Sequence, residues 1–389
     1  MLSKILLVAV IFFHLFILTK LIFFPYSELF IYPYLKNQGL TPYKQILDQH
    51  FPGLLFLPIN FDNLGMTTPE AARIWQIAAV AITQILLFFI ARAILKSEKK
   101  ALFVNVLYLI WQPFFEGWVL WIDSFLPLIL LPAFYFLYNR RIFLTGLFLG
   151  IAVVFKQVMI PLAGIVFLYL IWQRKNVDEL RLYLLGLMGP ITLMLLYLIF
   201  IGALGDFWYW TVIFNLTVFA KYGRGEIPSA AHLLRVALVF GSAYIALIRI
   251  KESNVVVTLL IFLSGALVGL TTRFDFVHFQ PALPFAVLGT VDIFDYLGKA
   301  RVLMLGYLLI AGWWMMTFYK GHIGNKVYFF DTHTRELSDK IRQYTKTREK
   351  IFVFGAEPHL YQMTNTLPAG DIFVFQFPWF YNVAQNRIL

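Results

Sequence analysis

The 389-residue chain contains no cysteine and is poor in charge, with Asp, Glu, Lys and Arg together making up only 14%. Without cysteine there is no disulfide framework, no thiolate metal site and no thiol nucleophile. Also missing are a GxxxxGK[ST] phosphate loop and a GxGxxG turn after a strand, two marks of soluble nucleotide sites. His322, His333 and His359 lack the spacing of zinc ligands, and neither an internal repeat nor a low-complexity tract is found.

What is present is apolar. Hydrophobic residues make up 60% and aromatics 18%, far from the composition of a soluble domain. The expectation is a polytopic α-helical membrane protein, with about eleven spans of roughly 20 residues or fewer. They fall at 5–24, 72–95, 101–115, 124–138, 142–155, 158–172, 182–201, 233–250, 255–271, 281–297 and 302–319. The net charge of +11 comes from short Lys/Arg clusters between these runs, not from a basic stripe, so nucleic acid is not an expected partner. Lys4, Arg92, Lys96, Lys99, Lys100, Arg140, Arg141, Arg174, Lys175, Arg181, Arg249, Lys251, Lys299 and Arg301 then share one side, which the positive-inside rule makes cytoplasmic. This predicts a multi-pass protein of the cell membrane with a cytoplasmic N-terminus. Bulky residues follow the first apolar run, so it is expected to be retained. Residues 142–172 are split at Lys156, Gln157 and Pro161, and two short spans preserve the alternation of charge.

Two units are expected: a transmembrane domain with external loops over 1–319, and a small external α/β cap over 320–389. The cap reads strand, helix, strand, helix, strand. Residues 202–231 read as a partly helical external loop on the membrane, with Trp208, Tyr209 and Trp210 at the boundary.

The polar residues that could carry chemistry all fall on the external side of this topology. Residues 26–58 hold Glu28, Asp48 and His50; the next external loop holds Glu116 and Asp123; Lys156 interrupts an apolar hairpin; and Arg273, Asp275 and His278 precede the tenth span. Each has a plainer reading. Glu28 and Glu116 suit solvated or capping acids, Asp48 a turn residue, Lys156 a snorkelling cation, Arg273 an interfacial anchor, and His278 a hydrogen-bonded buried histidine. Taken together, carboxylates and cations at one membrane face suit group transfer from a phosphate-bearing lipid. Cations offset the charge of the departing phosphate, and a carboxylate takes the acceptor's proton. Asn215-Leu216-Thr217 is a glycosylation sequon only if this side is a secretory lumen.

The order of motifs resembles the GT-C glycosyltransferases, more narrowly the bacterial members related to protein O-mannosyltransferases and the lipid A aminoarabinose transferase. The residues that carry it are Glu28 just after the first span, Gly39-Leu40-Thr41-Pro42-Tyr43 with Asp48, His50 and Pro52, and Asp123 at the head of an apolar span. Gly146 to Gln157 and His278 to Phe285, a late H-x-x-P-x-x-P segment, complete the order, and residues 350–370 resemble the external tail. The resemblance covers most of the chain, although each motif alone is degenerate. It implies a GT-C-like fold and inverting transfer from a polyprenyl-phosphate-linked sugar to a lipid, glycan or protein acceptor, with membrane lipids as surroundings. It further implies Glu28 as base or acceptor-orienting acid, Asp123 as second external acid, Lys156 as donor-phosphate cation and His278 near the donor. Arg273 joins the phosphate set, Asp48 the catalytic acids, and Tyr43 and His50 the acceptor loop. Some relatives place a divalent metal near the acids; nothing in this sequence demands one. Ser27 stands where an Asp-Glu pair is frequent and Gln45 where an Asp follows the Pro-Tyr pair, which leaves the base open between Glu28 and Asp48. The competing class is a transporter or lipid flippase, expected to show inverted repeats and polar groups near the bilayer midplane. A third, a non-catalytic assembly subunit, would tolerate loss of the external acids.

Overall fold

The computed structural model of the chain describes residues 2–173, 176–222, 227–247, 253–271, 273–297, 301–354, 357–370 and 372–374. Helices follow the apolar runs. The long α1 (Leu2–Lys20) leads to a short strand, β1 (Phe24–Pro25), and a buried helix, α2 (Glu28–Asn37). The first long connection then continues through β2 (Ile46–Leu47) and the single turn α3 (Gly53–Phe56). Next come α4 (Pro69–Leu95), α5 (Glu98–Gln112), β3 (Val119–Leu120), α6 (Pro127–Tyr138), α7 (Ile142–Phe155), α8 (Ile160–Trp172) and α9 (Val177–Phe200). The short α10 (Leu204–Trp208) and α11 (Ala220–Tyr222) precede α12 (Ala230–Val236), α13 (Ser242–Leu247), α14 (Ser253–Ala266), α15 (Leu283–Leu297) and α16 (Arg301–His322). The tail adds α17 (Thr332–Tyr344), β4 (Lys350–Ile351), α18 (Leu360–Thr364), β5 (Leu367–Pro368) and β6 (Phe373–Val374).

Among the described residues, five helices are long and apolar enough to cross a membrane: Leu2–Lys20, Pro69–Leu95, Val177–Phe200, Ala230–Leu247 and Val302–His322. Phe12, Leu193, Phe200 and Val302 are largely exposed on them, as a lipid-facing surface requires. The protein is thus a helical membrane protein. The other expected spans are also helical but shorter, including Pro127–Tyr138, Ile142–Phe155, Gln157–Trp172 and Asn254–Leu270. Polar caps set the helix ends. The Thr68 hydroxyl accepts from Ala71 N at the start of α4, where Pro69 occupies the first turn, and Ser97 accepts from Lys100 N at the start of α5. Arg174, Lys175, Arg249, Lys251 and Lys299, used above to orient the chain, lie outside the described residues.

Close helix approach positions the site. A Cβ on Gly146, Gly150 or Gly186 would strike the carbonyl oxygen of Tyr183, Leu187 or Phe143, so α7 and α9 touch along a glycine seam that larger residues would force apart. Where α7 stops, Lys156 is extended (φ −156°, ψ 121°), one tight turn follows, and Pro161 opens α8. The expected division of 142–172 into two helices is therefore present.

A string of neutral polar side chains threads the helices as well. His14 Nε2 lies 3.0 Å from Gln112 Oε1, and Gln84 Nε2 lies 2.9 Å from His14 Nδ1. Asn105 donates to the Gln84 carbonyl at 2.7 Å, and Gln280 Nε2 donates to the Phe115 carbonyl at 2.5 Å. Such bonds hold helices together where apolar contact with lipid offers no preference. They also correct the expectation that polar groups concentrate at one face, since these lie along the helices.

The described part of the tail carries short helices and strands, but its strands do not all pair with one another. Each strand is two residues long, too short to stand alone, and pairs where a partner is available. β4 runs parallel to β5, but β6 runs parallel to β2 in the first connection, and Val327 bridges Phe23. Arg335 pairs with Glu70 at 2.8 Å, Gln362 donates to Thr67 O at 2.8 Å, and Tyr34 donates to Thr366 O at 3.0 Å. The described part of the tail is thus stitched over α2 and the start of α4. Asp371 and residues 375–389 lie outside the described residues.

Candidate active site

Two connections meet through their backbones. β1 pairs in parallel with β3, and Tyr26 N donates to Leu120 O at 3.2 Å, which sets the loop carrying Glu28 beside the loop carrying Asp123. Trp121 fills the junction, its ring 4.7 Å from that of Tyr26 and 5.3 Å from that of His50.

On the first side, Glu28 stands in the first turn of α2, 8% exposed, with Oε2 buried and without a hydrogen-bond partner. Burial pushes its carboxyl up to about 7; Asp48 adds to the rise, while His50 opposes it. Asp48 is fully buried and accepts from both His50 N (2.7 Å) and His50 Nδ1 (2.9 Å). This leaves Nε2 as the outer nitrogen of a carboxylate–imidazole pair. Tyr43, left-handed at φ 66° and buried, donates its hydroxyl to the His50 carbonyl at 2.9 Å and so shapes the loop.

On the second side, Asp123, Lys156 and His278 converge. The Lys156 ammonium donates to Asp123 Oδ2, and His278 Nδ1 lies 3.1 Å from that oxygen and 3.3 Å from Lys156 Nζ. Burial alone would raise the Asp123 carboxyl, yet the Lys156 charge, with His278, outweighs it and holds the group well below the usual carboxylate range. Burial and then the Lys156 charge lower the His278 imidazole, while Asp123 opposes them. The broken helix end after α7 delivers Lys156, and the adjacent Gln157 clips the first loop in place. Gln157 donates to Gln49 O at 2.8 Å and accepts from Phe51 N at 3.2 Å. Asn215 also donates to Gln49 O, at 2.9 Å, so the side chain of the sequon serves as a clasp on this loop.

Glu116 and Arg273 form a third part. The α5 helix ends in a wide turn in which Glu116 adopts the left-handed conformation (φ 57°, ψ 37°) and accepts from Val277 N at 2.9 Å. Burial, then Asp275, pushes its carboxyl up to about 7. Glu116 is therefore partly buried and bonded to the start of the turn at Phe276–Phe279, not freely solvated. Strained non-glycine positions of this kind gather at functional sites. Arg273 pairs with Asp275 at 2.5 Å, both about one-third exposed at the rim. Tyr26 lies in the field of Glu28, Asp275, Arg273 and Glu116, which joins this part to the first.

Among the described residues no three His, Asp or Glu side chains cluster as metal ligands do. A divalent ion does not fit between Asp123 and His278, because the Lys156 ammonium already takes the place a metal would need. Sequence reasoning missed Gln157 and Asn215, whose amides give no charge signal, and Arg235, described below, although an arginine inside an expected span is itself a signal. No family model matches the chain, and no curated protein matches it. The functional argument accordingly rests on the residues themselves.

Proposed function

We propose that the protein is an inverting membrane glycosyltransferase of GT-C-like architecture, with about eleven spans, moving a sugar from a polyprenyl phosphate to an acceptor on the extracytoplasmic face. The supporting observation is the union of an unpartnered buried carboxylate, Glu28, with a buried Asp123–Lys156–His278 cluster through β1, β3 and the Trp121 ring. A buried acid with a raised proton affinity suits a base that must take a proton from an acceptor hydroxyl. Asp48 and His50 then orient the acceptor, Asp123 the sugar, and Lys156 and Arg273 meet the phosphate charge. The proton moves from the acceptor hydroxyl to Glu28, the acceptor oxygen bonds to the anomeric carbon from the face opposite the phosphate, and the sugar–phosphate bond breaks with its electrons on the phosphate.

The pH profile tests this. Since Glu28 titrates near 7 and must be ionised to act as base, transfer should rise about tenfold per pH unit up to about pH 7 and level off above it. The stability linkage runs the opposite way. The folded state holds the proton longer than the unfolded chain, so this group's contribution is complete in acid and is lost as pH rises from about 4.5 through 7. Rates in buffered nanodiscs that stay flat from pH 5.5 to 8 would remove Glu28 from the base role. The transporter reading draws on the neutral polar string from His14 to Gln280. Uptake of a solute into proteoliposomes without covalent transfer is the result that would favour it.

A further inference from the structure

Lys156 pairs with Asp123 and Arg273 with Asp275, so each would share its charge between that carboxylate and a phosphate. Arg235 on α12 differs. Its guanidinium lies 3.9 Å from the Phe114 ring centroid and 3.7 Å from that of Phe276, clamped between two faces, with Phe115 at 5.1 Å. Nε and Nη2 are buried and have no hydrogen-bond partner among the described residues. Glu116 lies within its field, but that carboxylate accepts from Val277 N and makes no ion pair with Arg235. A guanidinium fixed by stacking, with two donors facing no acceptor, carries the desolvation cost of burial without the compensating bond, and a bound anion would supply that bond. One helical turn away His232 packs on Phe274 and Phe276, and Arg273 stands at the exposed rim near Glu116. The Arg235 surroundings are thus aromatic, with the Arg273–Asp275 pair nearby.

We propose that Arg235 is the principal receptor for the anionic group of the substrate, a phosphate carried on a lipid or free, with its two unpartnered N–H donors taking two phosphate oxygens. This rests on the transfer reading for its biological meaning but is a binding claim and is tested as one. Binding of a short-chain polyprenyl phosphate and of inorganic phosphate to the full chain in nanodiscs is compared between the native protein, Arg235→Gln and Arg235→Lys. Loss of the charged fork should weaken polyprenyl phosphate binding roughly tenfold or more in Arg235→Gln, and by a smaller factor in Arg235→Lys, which keeps the charge without the fork. Competition by inorganic phosphate would identify the phosphate group itself as the ligand, and its failure to compete would identify the lipid; both uphold the site. A native chain that binds neither, or unchanged affinity in Arg235→Gln, overturns it. Should that variant fail to fold, unchanged affinity in Arg235→Lys overturns it equally. Sugar transfer that proceeds with phosphate affinity indifferent to Arg235 would sink this inference alone, whereas Arg235-dependent binding without any transfer would sink the transferase reading alone.

Discussion

Glu28→Gln should lower sugar transfer by roughly a thousandfold, within the range expected for removing a general base, while leaving the fold intact. The substitution keeps the shape of the side chain and removes a carboxylate that lies buried without a partner on Oε2. Because burial disfavours the charged form, the amide should leave thermal stability at neutral pH unchanged or slightly raised. Few substitutions separate catalysis from folding so cleanly, since a structural acid would cost stability when neutralised. Elution profile and melting temperature in detergent, measured beside the transfer rate, give both readouts. Full activity in Glu28→Gln would move the proton-accepting role to Asp48 and its partner His50, which form the other acidic unit of the same loop.

The second large effect is structural. Lys156→Met should destabilise the protein by about 3–5 kcal/mol, because it leaves Asp123 buried and without its counter-ion. Adding Asp123→Asn to Lys156→Met should recover much of that loss, since an uncharged pair removes the stranded charge. The double-mutant cycle measures the coupling. Additive losses in the cycle would mean that Lys156 and Asp123 do not act as one buried unit.

The helical frame was readable because apolar runs and their interruptions carry it directly. A lysine between two apolar stretches announced the break after α7, and the extended Lys156 backbone is that break. Pairings across long stretches of chain were not readable. Nothing in Phe373 and Val374 indicates that they will run beside Ile46 and Leu47, since two-residue strands carry no alternating pattern to match. The neutral string of His14, Gln84, Asn105, Gln112 and Gln280 escaped notice for a related reason: amides lower hydropathy slightly and interrupt no span. Among the site residues, charge pointed to Glu28, Asp48, Asp123, Lys156 and His278 but could not distinguish a buried partner from a solvated one. Glu116 shows this well, since the left-handed turn after α5 sets its carboxylate against Val277 N. Arg235 is the converse case, a charge within an expected span whose place between Phe114 and Phe276 depends on three separated segments.

The central claim is that acids and cations from distant parts of the chain form one site for a sugar carried on a lipid phosphate. Mass spectrometry of lipid retained by purified Glu28→Gln protein tests it most directly, because a variant that binds donor but cannot complete transfer should accumulate it. The account predicts a polyprenyl-phosphate-linked sugar in that variant and its depletion in the native protein once acceptor is supplied. Bulk membrane lipid alone in both proteins, under conditions where such a donor is present in excess, would contradict it.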